Sequence, residues 1–156
     1  MNRTFVTVST LFFAVGICTG SISGQEKKIQ KSYLPPAVQK TVDEQSKGAT
    51  VRGFSTEKEN GKTAYEAELT VNGRSRDILI DAKGNLLETE DQVDFASLPA
   101  AVRDGLQKKA GAGKIGTVES LTKKGKLVAY EAVVTTGAKH SEVQVGPDGK
   151  PLDHKE

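Results

Sequence analysis

Few residues of this chain have the types and spacing that chemistry requires. Nucleophilic catalysis needs Ser, Thr or Cys beside a base that a third group orients. The only histidines are His140 and His154. His140 precedes Ser141 in an alternating stretch, where neighbouring side chains point to opposite faces. His154 stands two residues from the last position, Glu156. Neither belongs to a nucleophile, base and orienter set. Cys18 is the single cysteine, and with two separated histidines it makes no zinc ligand cluster. Asp81-Ala82-Lys83-Gly84-Asn85 opens like a calcium loop, but Lys83 stands where an oxygen ligand is needed and Gln92 takes the twelfth position. A tight turn accounts for it better.

Carboxylates come closer. Glu66 and Glu68 share one face of an alternating segment. General acid–base work needs such a pair flanking a cleft, with one pKa raised. On a half-exposed strand, cross-strand pairing with Arg76 or Lys62 explains them. Lys108, Lys109, Lys114, Lys123, Lys124 and Lys126 make the second half locally basic. No aromatic residues are interleaved to stack bases, so they read as a solvated face rather than a nucleic-acid stripe. The chain is therefore expected to be no enzyme, with no catalytic or metal-binding residues and no cofactor.

The elements that carry these residues recur. Leu34, Val38 and Val42 lie on one face of a helix that opens at Pro35-Pro36 and stops at Gly48. Strands follow, with turns at Asn60-Gly61 and Asn72-Gly73 and at Ala82 to Asn85. Tyr65, Ala67, Leu69 and Val71 alternate with Glu66, Glu68 and Thr70, and Ile78 and Ile80 with Asp77 and Leu79. Leu86 and Leu87 open a fourth strand. At an offset of 64 the helix returns as Leu98, Val102 and Leu106; at 65, Tyr130-Glu131-Ala132, Val143 and Val145 answer Tyr65-Glu66-Ala67, Ile78 and Ile80. The expected fold class is α+β: two tandem repeats, each a short helix followed by an antiparallel meander of about four strands. A unit of about 60 residues is marginal alone, so the helices are expected to share one face of the sheet. Tyr65 and Tyr130 are expected in the core, with their hydroxyls at its rim.

Residues 1–24 read as a secretory signal peptide: Arg3, an apolar run from Phe5 to Cys18, then small residues with cleavage after Ser23 or Gly24. The run is short for a membrane span, which needs roughly 20 apolar residues; an uncleaved anchor is the alternative. Ile17 before Cys18 argues against a lipoprotein. The remaining boundaries are a flexible segment 25–32, repeat 1 at 33–90, an acidic joint 91–97, repeat 2 at 98–153 and a frayed tail 154–156. The chain carries 22 Lys and Arg against 20 Asp and Glu, so no global field attracts nucleic acid or an anionic membrane.

Leu34-Pro35-Pro36-Ala37-Val38, Tyr65-Glu66-Ala67 and Ile78-Leu79-Ile80-Asp81-Ala82-Lys83-Gly84-Asn85-Leu86-Leu87 together resemble the PepSY-like domain. The second copy offers Leu98-Pro99-Ala100-Ala101-Val102, Tyr130-Glu131-Ala132 and Val143 to Gly149, departing at Gly146 and Pro151. The resemblance implies a fold like that of the beta-lactamase inhibitor protein, a periplasmic or secreted address, and a role such as inhibiting or chaperoning a peptidase or other envelope protein. The partner is expected to be a protein or peptide of the cell envelope, not nucleic acid, with no stable membrane insertion after signal cleavage. The expected contact residues are Glu66, Glu68, Leu79, Glu131, Val133 and Gln144. The alternative is a periplasmic small-ligand or envelope-stress protein without a stable protein partner.

Overall fold

A computed structural model describes residues 27–59 and 61–156. The expected leader at 1–24, with Gln25, Glu26 and Asn60, lies outside the described residues. Strand β1 is Lys27–Ile29, helix α1 Pro36–Gln45, β2 Thr50–Glu59, β3 Lys62–Val71, β4 Arg74–Asp81 and β5 Leu86–Val93. Then come α2 Ala100–Ala110, β6 Lys114–Lys123, β7 Lys126–Thr136 and β8 Lys139–Val145. Short 3-10 turns at Lys31–Tyr33 and Phe95–Ser97 lead into the two helices. All eight strands form one antiparallel sheet whose spatial order is the chain order. The molecule is α+β, and both halves share that sheet.

Each helix is entered through a proline, where the missing N–H costs nothing: Pro35 caps α1, which starts on Pro36, and Pro99 caps α2, which starts on Ala100. Each is also tied to its entry residue by a side chain of its own. Gln39 Nε2 donates to the Leu34 carbonyl at 2.8 Å, and Arg103 Nη1 to the Leu98 carbonyl at 2.7 Å. The buried stripe of α1 (Leu34, Val38, Val42) packs on Ala67, Leu69, Ile78 and Ile80. That of α2 (Leu98, Val102, Leu106) packs on Val118, Ala132 and Val145. Burying a Leu, Ile or Val side chain contributes about 1.5–3 kcal/mol, so these two stripes account for most of what holds the helices down. Register places both clusters on the same, inner face: Ala67 opposes Ile78, which opposes Thr89, and four residues further along β5, on the same face, Val93 opposes Val118, which opposes Ala132. Tyr65 and Tyr130 pack against their respective clusters.

The helix motif and the turn motif of each half touch. A methyl group on Gly84 (φ +85) would come 2.7 Å from the Ala37 carbonyl oxygen, and one on Gly149 (φ +78) would collide with the Ala101 carbonyl. Thr41 Oγ1 donates to the Gly84 carbonyl at 2.7 Å. Glycine is needed here twice over, for the left-handed backbone and for the close approach of the helix. Asp81 holds the first of these turns from within: its Oδ1 accepts from the Lys83 and Asn85 N–H groups, and its Oδ2 from Asn85 Nδ2. At Asn72-Gly73 both residues have positive φ (51° and 80°), as a type I′ hairpin requires.

Three segments and one strand count differ from the sequence expectation. The segment 25–32 contains β1, whose Ile29 opposes Phe54 and packs on the α1 cluster. The acidic stretch is not a joint from residue 91: β5 runs through it to Val93, because Glu-Thr-Glu-Asp-Gln-Val alternates between the faces. Three strands, not four, follow α2; the stretch matching β5 holds Pro151, which cannot donate to a ladder. The tail 154–156 is docked on the sheet rather than frayed. Among the described residues no helix is long and apolar enough to cross a membrane.

Candidate functional site

With both helices on the inner face, the outer face of the sheet is free of helical cover. One row crosses it from β3 to β8: Thr70, Ser75, Gln92, Glu119, Glu131 and Gln144. The six residues expected at a contact surface all stand on this face. Glu66 opposes Leu79, Glu131 opposes Gln144, and Val133 opposes Glu142. Glu66 and Glu68 neighbour each other on β3, whereas Glu131, Val133 and Gln144 sit several strands away, so the set spans the sheet rather than converging on a point.

The pairing expected for the β3 carboxylates is different in detail. Glu66 Oε2 accepts from Ser55 Oγ at 2.6 Å. Glu68 lies 3.8 Å from both Arg52 and Lys28. Arg76 turns to the inner face, where it bonds Asp91. Arg52 reaches the outer face because β2 bulges between Val51 and Gly53, and a bulge re-aims the side chain it carries. There Arg52 Nη2 bonds Asp77 at 3.0 Å, and its Nε donates to the Leu69 carbonyl.

Sequence reasoning missed most of the charge on this face. Asp77, Glu88, Glu90, Glu119 and Glu142 join Glu66, Glu68 and Glu131 there. The signal was the strict alternation of β5, which sends Glu88, Glu90 and Gln92 outward. Burial pushes Asp77 up to about 6, against the pull of Arg52. Burial and the carboxylates of Glu88, Glu119, Glu131 and Asp77 push Glu90 up to about 9. Glu119 and Glu131 are raised as well, each chiefly by burial.

Cations enter at two places. Lys123 Nζ lies 3.5 Å from Glu88 and 3.6 Å from Glu156. Lys155 Nζ lies 2.7 Å from Glu142 and 3.3 Å from Glu131. Burial works against the Lys155 charge, but these two carboxylates hold its pKa above the ordinary lysine value. Chemically this face carries carboxylates and amides with half-buried apolar side chains at Leu79 and Val133, while Leu121 is buried. Among the described residues no group of three or more His, Cys, Asp or Glu side chains could hold a metal ion. His140 bonds Thr135 on the neighbouring strand, at the exposed end of β8. An open groove of about 480 Å³ between the end of α2 and the start of β6 is lined by Phe95, Gln107 and Ile115 with small residues; no titratable side chain lines it.

A single open sheet with two helices on one face is a BLIP-like fold. The chain is similar to a BLIP-like protein from Bacteroides fragilis, with a TM-score of 0.56 and 24% identity over 79% of this chain and 87% of that one. It is also similar to a DUF2874 family protein from Bacteroides ovatus (TM-score 0.59, 18% identity, 76% and 85% covered). A protein from Bacteroides eggerthii named as periplasmic gives a TM-score of 0.62 at 16% identity, with 77% and 86% covered. At these identities the likeness is one of fold. No protein-family model matches the chain, and no curated protein does.

Proposed function

We propose that this chain is a non-enzymatic binding module of the periplasm or cell exterior, an internally duplicated PepSY-like unit that engages a protein or peptide partner through its outer sheet face. The observation that carries this reading is the division of labour between the faces. All the helix packing lies on one side, which leaves the other face of an eight-stranded sheet without helical cover and crossed by a polar row. A face of that width suits a macromolecule better than a metabolite. Inhibition or chaperoning of an envelope protein is the form of binding that the PepSY resemblance favours. The periplasmic address draws support from the leader-like residues 1–24 and from the Bacteroides eggerthii neighbour.

The test is capture from a cell-envelope fraction by wild type and by Leu79→Arg, with folding of both followed by thermal melts. The expected result is a partner retained by wild type and lost by the variant. Equal capture by the two folded proteins overturns the reading. The groove beside α2 favours a second reading, a small-ligand protein without a stable protein partner. A thermal shift with a small molecule, together with no captured partner, would select it.

A further inference from the structure

The outer face contains one position that is built for a cation on a peptide. Glu131 and Glu142 are diagonal neighbours on β7 and β8, and their side chains are only 6% and 8% exposed. Two carboxylates so close and so buried are unfavourable unless a cation lies between them. The ammonium of Lys155 fills that position. Beside it, Gln144 treats the next residue as a strand would. Its Oε1 accepts from the Glu156 N–H at 2.9 Å, and its Nε2 faces the Glu156 main-chain oxygen at 3.4 Å while donating to Glu131 at 2.7 Å. Together these residues read a lysine side chain and the peptide unit that follows it.

The occupant belongs to an irregular segment. Residues 154–156 form neither helix nor strand, and side-chain contacts hold them on the sheet. Segments held in this way open at low cost. We propose that Glu131, Glu142 and Gln144 form a recognition site for a lysine within an extended peptide segment of the partner, and that Lys155-Glu156 occupies the site in cis until that segment displaces it. The inference rests on the reading of the outer face as a partner-binding surface. It adds the chemistry of the partner and a competitor built into the chain.

The test uses full-length protein and, as probe, an acetylated peptide copying Pro151 to Glu156, with binding followed by fluorescence anisotropy. A tethered segment competes at an effective concentration on the order of millimolar, so freeing the site in Lys155→Ala is expected to tighten peptide binding roughly tenfold. Lys155→Gln, which keeps most of the side-chain stem, is expected to do the same. The gain should vanish when Glu142→Gln is added, and when the peptide carries alanine in place of its lysine. Unchanged affinity in both Lys155 variants, or binding indifferent to the peptide lysine, overturns the proposal. Envelope capture separates it from the broader reading. Capture lost in Leu79→Arg with no effect at Lys155 sinks only this inference; the expected peptide results with capture indifferent to Leu79→Arg sink only the broader one.

Discussion

Glu119 on β6 and Glu131 on β7 stand directly opposite one another in the ladder, and each is only 5% exposed. Like charges in that relationship destabilise a sheet. The pair survives because each carboxylate has neutral or cationic neighbours: Ser75 Oγ at 3.3 Å from Glu119, and Gln144 and Lys155 at Glu131. Binding a proton relieves such a pair too, so the stability of the molecule follows pH.

The direction of that dependence is set by carboxylates held above their ordinary values. Their stabilisation is complete below the unfolded-state pKa and is lost as pH rises through the folded one. For Asp77 the window runs from near 3.8 to about 6, and for Glu90 from near 4.5 to about 9. Thermal melts are expected to show a higher Tm at pH 5 than at pH 8. Glu90→Gln, which removes the widest window, should raise Tm at pH 8 and flatten the slope. An unchanged slope in that variant would contradict the assignment.

Gly149→Ala is expected to cost ~2–4 kcal/mol, because strain at positive φ adds to collision with the α2 backbone. Gly137→Ala has a positive φ of 60° but open space around it, and should cost only ~1 kcal/mol. Urea denaturation of the two variants side by side checks the difference.

Leu106 is fully buried within the α2 cluster. Leu106→Ala should destabilise by about 2–5 kcal/mol, the range for a cavity in a packed core. Chemical denaturation monitored by far-UV circular dichroism measures it.

Asp81 gathers three hydrogen bonds from its own turn, and the side-chain amide of Asn85, followed by the Asn85 and Lys83 N–H groups, holds its pKa below the ordinary value. A lowered carboxylate pKa gives stability that is present near neutrality and fades as pH falls through the folded value. Asp81→Ala should therefore lower Tm at pH 7 and matter less at pH 3. An equal loss at both would assign the effect to shape rather than charge.

The helices and the inner face were legible because their periods are strong. Leu34, Val38 and Val42, and their partners 64 residues on, can belong only to a buried helical stripe. The motifs holding Ala37 and Gly84 were legible one by one, but their contact was not, because it depends on how the helix lies across the sheet. The outer-face residues could be assigned to a face by alternation alone. Their partners could not, because a bulge at Arg52 replaced Arg76 as the cation near Glu68. The docking of Lys155 was invisible for a related reason: residues 154–156 have no periodicity, and their place depends on Gln144 and Glu142 from another strand. The start of the stretch 91–97 looked like a joint because the net charge of residues 88–92 masked an alternation as regular as that of β3.

The identity of spatial and chain order also bears on how the molecule assembles. Every strand pairs with the one before it, so most hairpins close a short loop, and only the β1–β2 and β5–β6 steps, which carry α1 and α2, span longer ones. Loop-closure entropy is then low at almost every step, and contacts of low sequence separation speed folding. The sheet can grow outward one strand at a time as the chain becomes available, with no strand left waiting for a partner that has yet to arrive.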